Sequence, residues 1–159
     1  MKVFVDSDAC PVKYIILDIG NKYNVELIFV SSLSHYTNFY RENGVEAIIV
    51  DNVSQSADMV IINRVRKGDI VVTGDYGLAA LALGKGAYAI SFHGKIFNKE
   101  NIDSLLYRRH LTMKAIRKGG RVKGPQKRNE RDDIAFKKSL EMLIKKGRWC
   151  VVVYRNYWS

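Results

Sequence analysis

At 159 residues the chain is long enough to bury one core and too short for two comfortable domains. A hydrophobic share of 47% with 11% aromatics excludes a charge-dominated disordered chain. Twenty-six Lys and Arg against sixteen Asp and Glu leave a formal charge of +10, which favours an anionic partner: nucleic acid, an acidic membrane surface or a phosphorylated ligand. Cys10 and Cys150 belong to no paired Cys or Cys/His spacing, so neither a zinc site nor a disulfide framework is expected. No run approaches the roughly 18 apolar residues of a membrane span, and the apolar start is too short for a signal peptide, so a cytoplasmic protein without membrane contact is expected.

In chain order, KVFVD (2–6) is a short β-rich run. Val12, Ile15, Ile16, Ile19 and Tyr23 then recur with helical spacing and predict an amphipathic helix over 11–23. VELIFVS (25–31) and VEAIIV (45–50) read as buried strands, and the polar, aromatic stretch between them as a loop or short helix. Residues 55–67 form a second amphipathic helix closed by Gly68. DIVVT (69–73), an alanine-rich helix and AYAIS (87–91) follow. After a turn at Gly94 and Asn98, a helix runs to the Gly119-Gly120 stop, a basic loop follows, and a last helix is closed by Gly147. The domain spans 1–146 and includes this basic helical region, while 147–159 is a β-prone tail to which the sequence assigns no role. Strand and helix in turn predict a three-layer α/β/α fold with a mainly parallel sheet.

In such a sheet, ligands bind beyond the carboxyl ends of the strands where strand order reverses. A strand order of 3-2-1-4-5 puts that reversal between strands one and four. Asp6 ends the first, and Asp75 in VVTGDYG lies just beyond the other. Asp58 starts a helix at the same edge. Two carboxylates about 5 Å apart repel by roughly 3 kcal/mol at an effective dielectric near 20, so either one holds a proton or a cation sits among them. Oxygen-only ligands favour Mg²⁺ or Mn²⁺ over zinc. Asp8 is read either as a further ligand or as the amino-terminal cap of the first helix. Asp58 is either a ligand or a partner of its helix dipole. Thr73 and Gly74 either orient Asp75 or form the turn, and Asp51 is left out because its strand lies at the far edge. Cys10 reads as packing rather than a nucleophile. His35, His93 and His110 are scattered and receive no catalytic role. The HYTNFY aromatics either stack on bases or pack on their own domain.

From 108 to 128 the chain carries nine cations and no acid: Arg108, Arg109, Lys114, Arg117, Lys118, Arg121, Lys123, Lys127 and Arg128. This tips the partner toward nucleic acid, with RNA favoured and no base-reading motif. Around six phosphate contacts on duplex DNA would give a log–log salt slope near −5.

VFVDSDACPVK, GDIVVTGDYGLAALALGKGA, NIDSLLYRRH and GGRVKGP together resemble the uncharacterised bacterial YaiI/YqxD family, from residue 1 to about 146. That family looks related to PIN-like metal-dependent nucleases, which implies acidic residues gathered at the carboxyl edge of a parallel sheet. Asp6, Asp58 and Asp75 match those positions, and Asp8 belongs to the narrower family motif. Gly74 stands where Gln or Ala is usual, and Phe92-His93 replace a Pro-Arg-Gly-like turn.

Together these readings predict a Mg²⁺- or Mn²⁺-dependent nuclease for RNA or single-stranded nucleic acid, with Asp6 and Asp75 catalytic and Asp6, Asp8, Asp58 and Asp75 holding the metal. The alternatives are a non-catalytic nucleic-acid-binding module of the same fold and a haloacid-dehalogenase-like phosphatase with Asp6 as nucleophile and Asp8 as acid and base.

Overall fold

The computed structural model describes residues 1–53, 55–124 and 126–157, with side chains through Trp149. Short runs of valine, isoleucine and phenylalanine make the strands β1 (Lys2–Asp6), β2 (Glu26–Ser32), β3 (Glu46–Val50), β4 (Ile70–Val72), β5 (Tyr88–Ile90) and β6 (Ile96–Phe97). Their order in the sheet is β3-β2-β1-β4-β5-β6. Every pair is parallel except β5 with β6. The order reverses between β1 and β4, as the sequence predicts, and β6 is a two-residue antiparallel edge that its length hides from any periodicity.

Helices cover both faces. They are α1 (Lys13–Tyr23), α2 (Phe39–Glu42), α3 (Ser56–Arg64), α4 (Tyr76–Gly84), α5 (Lys99–Arg117) and α6 (Glu130–Tyr157). Side chains alternate across each strand, so Val3, Val5, Phe29 and Val72 face one core and Phe4, Ile28, Val30 and Val71 the other. The first core is closed by Ile16 and Ile19 of α1 and by Phe136, Leu140 and Ile144 of α6. The second is closed by Ile61 of α3, Leu78 and Ala82 of α4, and Ile102 and Leu105 of α5. Both layers leave the carboxyl edge of the sheet open between them.

Of the HYTNFY stretch, Phe39 and Tyr40 open α2 and pack on their own domain, while Tyr36 stays exposed. Phe39 and Tyr40 are buried, and each meets Phe29 in an aromatic contact. The last helix departs from expectation, since it passes through Gly147 and continues to Tyr157 rather than giving way to a strand-prone tail. Gly147 serves close approach instead of a stop, because a Cβ there would collide with the Met1 side chain. The valines that follow favour strands only where a neighbouring strand accepts them, and α6 propagates through them. Trp158 and Ser159, the end of that tail, lie outside the described residues. Among the described residues no helix is long and apolar enough to cross a membrane.

Asp69 shows what a structural aspartate looks like here. It is 6% exposed, and its two oxygens accept the backbone N–H groups of Lys2 and Arg66, both at 2.9 Å, which ties β4 to β1.

Gly94 has φ +84°, and a Cβ there would lie 2.6 Å from the Ala135 carbonyl carbon, so this turn meets α6 backbone to backbone. Gly94→Ala should therefore cost about 3 kcal/mol in urea unfolding, the sum of a left-handed strain and an overpacked contact. A loss below about 1 kcal/mol would show that the turn and α6 are not in register.

Candidate functional site

Four aspartates from separate segments converge on one open cavity of about 900 Å³ at the carboxyl edge of the sheet. Asp6 ends β1, Asp8 lies in the loop beyond it, Asp58 sits in the first turn of α3, and Asp75 is the residue before α4. Asp51 is not among the lining residues.

Local geometry fixes two of them. Asp75 caps α4, its Oδ1 accepting from the backbone N–H groups of Gly77 at 2.7 Å and Leu78 at 3.2 Å. The same oxygen takes the Arg109 guanidinium at 3.3 Å. Buried Thr73 links Asp75 to Asp6, since its hydroxyl accepts from the Asp75 N–H at 3.0 Å and donates to Asp6 Oδ2 at 2.8 Å. Thr73 thus holds the Asp6 carboxylate and the Asp75 backbone together, so it forms the turn and at the same time fixes Asp75 relative to Asp6. Asp6 Oδ1, Asp75 Oδ2 and both Asp58 oxygens accept no hydrogen bond from a described residue. That separates them from the satisfied Asp69.

Asp8 does not cap α1. Val12 occupies the cap position, and Asp8 Oδ1 instead accepts from the Ser32 N–H at 2.7 Å and the Ser31 hydroxyl at 3.3 Å. The capping reading fails because the loop carries Asp8 toward the end of β2.

The electrostatics divide the four. Burial pushes Asp6 above the usual carboxylate range, opposed by the Thr73 hydrogen bond and reinforced by the charges of Asp8 and Asp75. Asp58 stands where a helix dipole would lower it. Burial nonetheless raises it to about 6, with the charges of Asp75 and Asp6 adding and Arg109 opposing. Asp58 thus borders the cavity as well as the first turn of α3. Burial would raise Asp8 as well, but the Ser32 and Ser31 hydrogen bonds and nearby His35 hold it below the usual range.

Clustered hard oxygens, two of the four carboxyls destabilised as anions, fit Mg²⁺ or Mn²⁺ by donor chemistry. Among the described residues no three His, Cys, Asp or Glu side chains already stand in metal-holding geometry, so binding requires side-chain adjustment. The Arg109 pair is single and half-exposed, the kind of ion pair that is worth little and is readily exchanged.

The basic residues separate. Arg109, Lys114 and Arg117 line a groove of about 650 Å³ along α5, with Leu106, His110 and Met113 between them. This groove shares Gly77 and Arg109 with the carboxylate cavity. Arg108, Lys118, Arg121, Lys123 and Lys127 are exposed outside it. Arg128 is committed elsewhere, pairing with Asp133 and donating to the Phe92 carbonyl at 2.6 Å, and so staples the basic segment to the domain.

One lining residue escapes sequence reasoning. His35, in the 3₁₀ turn after β2, borders the cavity with Nδ1 2.9 Å from the Ser32 hydroxyl and 3.7 Å from Asp8. Its only signal was its place just past a strand's carboxyl end. Cys10 is a free, half-buried thiol packed against the first core, and burial pushes its pKa up to about 11, which agrees with packing.

Residues 4–146 match the family model described as "Uncharacterized BCR, YaiI/YqxD family". A UPF0178 protein of Alkaliphilus metalliredigens is 49% identical over 92% of this chain and 93% of its own length. Those of Clostridium tetani and Oceanobacillus iheyensis are each 45% identical, over 93% and 92% of this chain and 99% and 100% of their own. No solved structure matches.

Because Asp58 rises to about 6 from its ordinary 3.8, its neutral form contributes stability fully below about pH 3.8, and this is lost as pH rises through about 6. Asp58→Asn should flatten part of that decline and, after solvent screening, gain about 1 kcal/mol at pH 7 in urea unfolding. An unchanged pH profile would mean that Asp58 is neither desolvated by burial nor crowded by Asp75 and Asp6.

Proposed function

Since the chain belongs to the YaiI/YqxD family, whose description gives no activity, we propose from its site that it is a metal-dependent phosphodiesterase acting on RNA or other single-stranded nucleic acid. The convergence of Asp6, Asp8, Asp58 and Asp75 on one cavity, with Asp6 and Asp58 disfavoured as anions, is the observation that carries this reading. The likeness of that family to PIN-like nucleases, expected from the sequence, would accord with it.

Asp6 and Asp75 would hold the Mg²⁺ or Mn²⁺, with Asp58 and Asp8 completing the set. Bound there, the ion would supply an activated water and stabilise charge on the leaving oxygen. Thr73 keeps Asp6 and Asp75 in a fixed relation, and the α4 cap keeps Asp75 from swinging away. Arg109 is the cation placed to exchange its carboxylate partner for a phosphate. Lys114 and Arg117 would carry the strand onward along α5. The free Cys10 thiol suits a reducing bacterial cytoplasm, which we take as the setting.

A binding-only module draws support from the capped, Arg-paired state of Asp75 and from the lack of preformed metal-holding geometry among the described residues. The phosphatase alternative has less behind it, because it asks Asp8 to donate a proton while Ser31, Ser32 and His35 stabilise its anion.

The purified protein should cleave single-stranded RNA with Mn²⁺, and Asp6→Asn with Asp75→Asn should lower the rate by at least about a hundredfold. Asn still caps α4, so the double variant should fold. Cleavage at the wild-type rate by that variant would refute the assignment. Binding without cleavage by the wild type, and without divalent-ion binding in calorimetry, would establish the module instead. With three groove cations on single-stranded RNA, log affinity should fall with log salt at a slope near −2.

A further inference from the structure

Asp6, Asp75 and Arg109 also line a second recess, of about 430 Å³, beside the main cavity. Its lining is completed by Phe92, Tyr76, Ala9 and Gly74. Ionic and aromatic residues thus share a single small volume. A ligand that suits both must carry a phosphate and, close to it, a planar apolar group.

The geometry points to a nucleobase subsite, in which the unpaired base next to the reacting phosphate stacks against Phe92, with Tyr76 bordering it. This inference rests on the nucleic-acid reading above and gives its preference for single strands a physical basis. A paired base presents no free face to such a recess, whereas an unpaired one stacks on any aromatic ring regardless of sequence.

Both rings are held in place before any ligand arrives. Arg128, anchored by Asp133, donates to the Phe92 carbonyl at 2.6 Å, and the Phe92 side chain packs at the rim of the core that α1 and α6 close. Tyr76 meets Phe97 edge-on, with ring centroids 5.8 Å apart, at the rim of the other core. The recess thus lies where the sheet's two faces meet the carboxyl edge, and the staple made by Arg128 gives this basic residue a share in shaping it.

Gly74 keeps the recess open. Its φ lies outside the left-handed region, so the backbone itself does not demand glycine, yet a Cβ there would come within 3.1 Å of the Phe92 ring. A larger side chain at 74 would press on the Cδ2–Cε2 edge of that ring and displace it.

The test is a binding titration of single-stranded RNA ten nucleotides long, without divalent ions, using strands that carry 2-aminopurine and matched strands made wholly of abasic nucleotides. The wild type should quench 2-aminopurine fluorescence. Phe92→Leu should bind the intact strand about tenfold more weakly and abolish the quenching, while Phe92→Tyr restores both. Gly74→Val should act like Phe92→Leu and guards against a folding defect at position 92. On the abasic strand all four proteins should bind alike. Equal binding of the intact strand by wild type and both space-altering variants overturns the subsite while leaving the nucleic-acid reading intact, as does an equal loss on the abasic strand. Failure of the wild type to bind either strand overturns that reading and the subsite with it.

Discussion

Carboxylate repulsion at the place where the strand order reverses is the constraint around which this domain is arranged. β1 and β4 are neighbours that lead to helices on opposite faces, and Asp6 and Asp75 leave their ends side by side. Asp58 is brought to the same cavity by α3. A fold built only for stability would neutralise such groups, as it does Asp69 with two backbone N–H donors. At the carboxyl edge it leaves oxygens unsatisfied and lets burial and mutual charge raise Asp6 and Asp58. Stability given up in this way is characteristic of sites kept for chemistry.

What holds the repulsion in check is local. Thr73 bridges Asp6 and Asp75, the start of α4 binds one Asp75 oxygen, and Arg109 from α5 reaches that same oxygen. Arg109 borders the carboxylate cavity, the basic groove and the aromatic recess together. That half-exposed pair is the kind that costs little to displace, so one cation is shared by all three compartments. Positive charge on α5 and negative charge at the sheet edge are thereby parts of one surface rather than two independent features.

The strand order, the positions of Asp6, Asp58 and Asp75 and the packing of Cys10 against the core were legible because each follows from period, strand ends or an isolated residue type. Other features depend on tertiary contacts that no local pattern records. Asp8 turns to the Ser31–Ser32 strand end instead of capping α1, since the loop geometry decides which backbone donors it meets. Arg128 sits in a basic run like its neighbours but is claimed by Asp133 and the Phe92 carbonyl. His35 joins the cavity only because β2 ends beside β1. Gly147 looks like a helix stop and proves to be a contact with Met1. In each case a long-range packing partner overrides the sequence signal.

The most direct test of the shared carboxylate pocket is anomalous diffraction from crystals soaked in Mn²⁺. The account predicts one or two anomalous peaks within coordinating distance of Asp6 and Asp75, with the Arg109 guanidinium displaced from Asp75. Crystals saturated with Mn²⁺ that show no peak among these aspartates, with Asp75 still paired to Arg109, would contradict it.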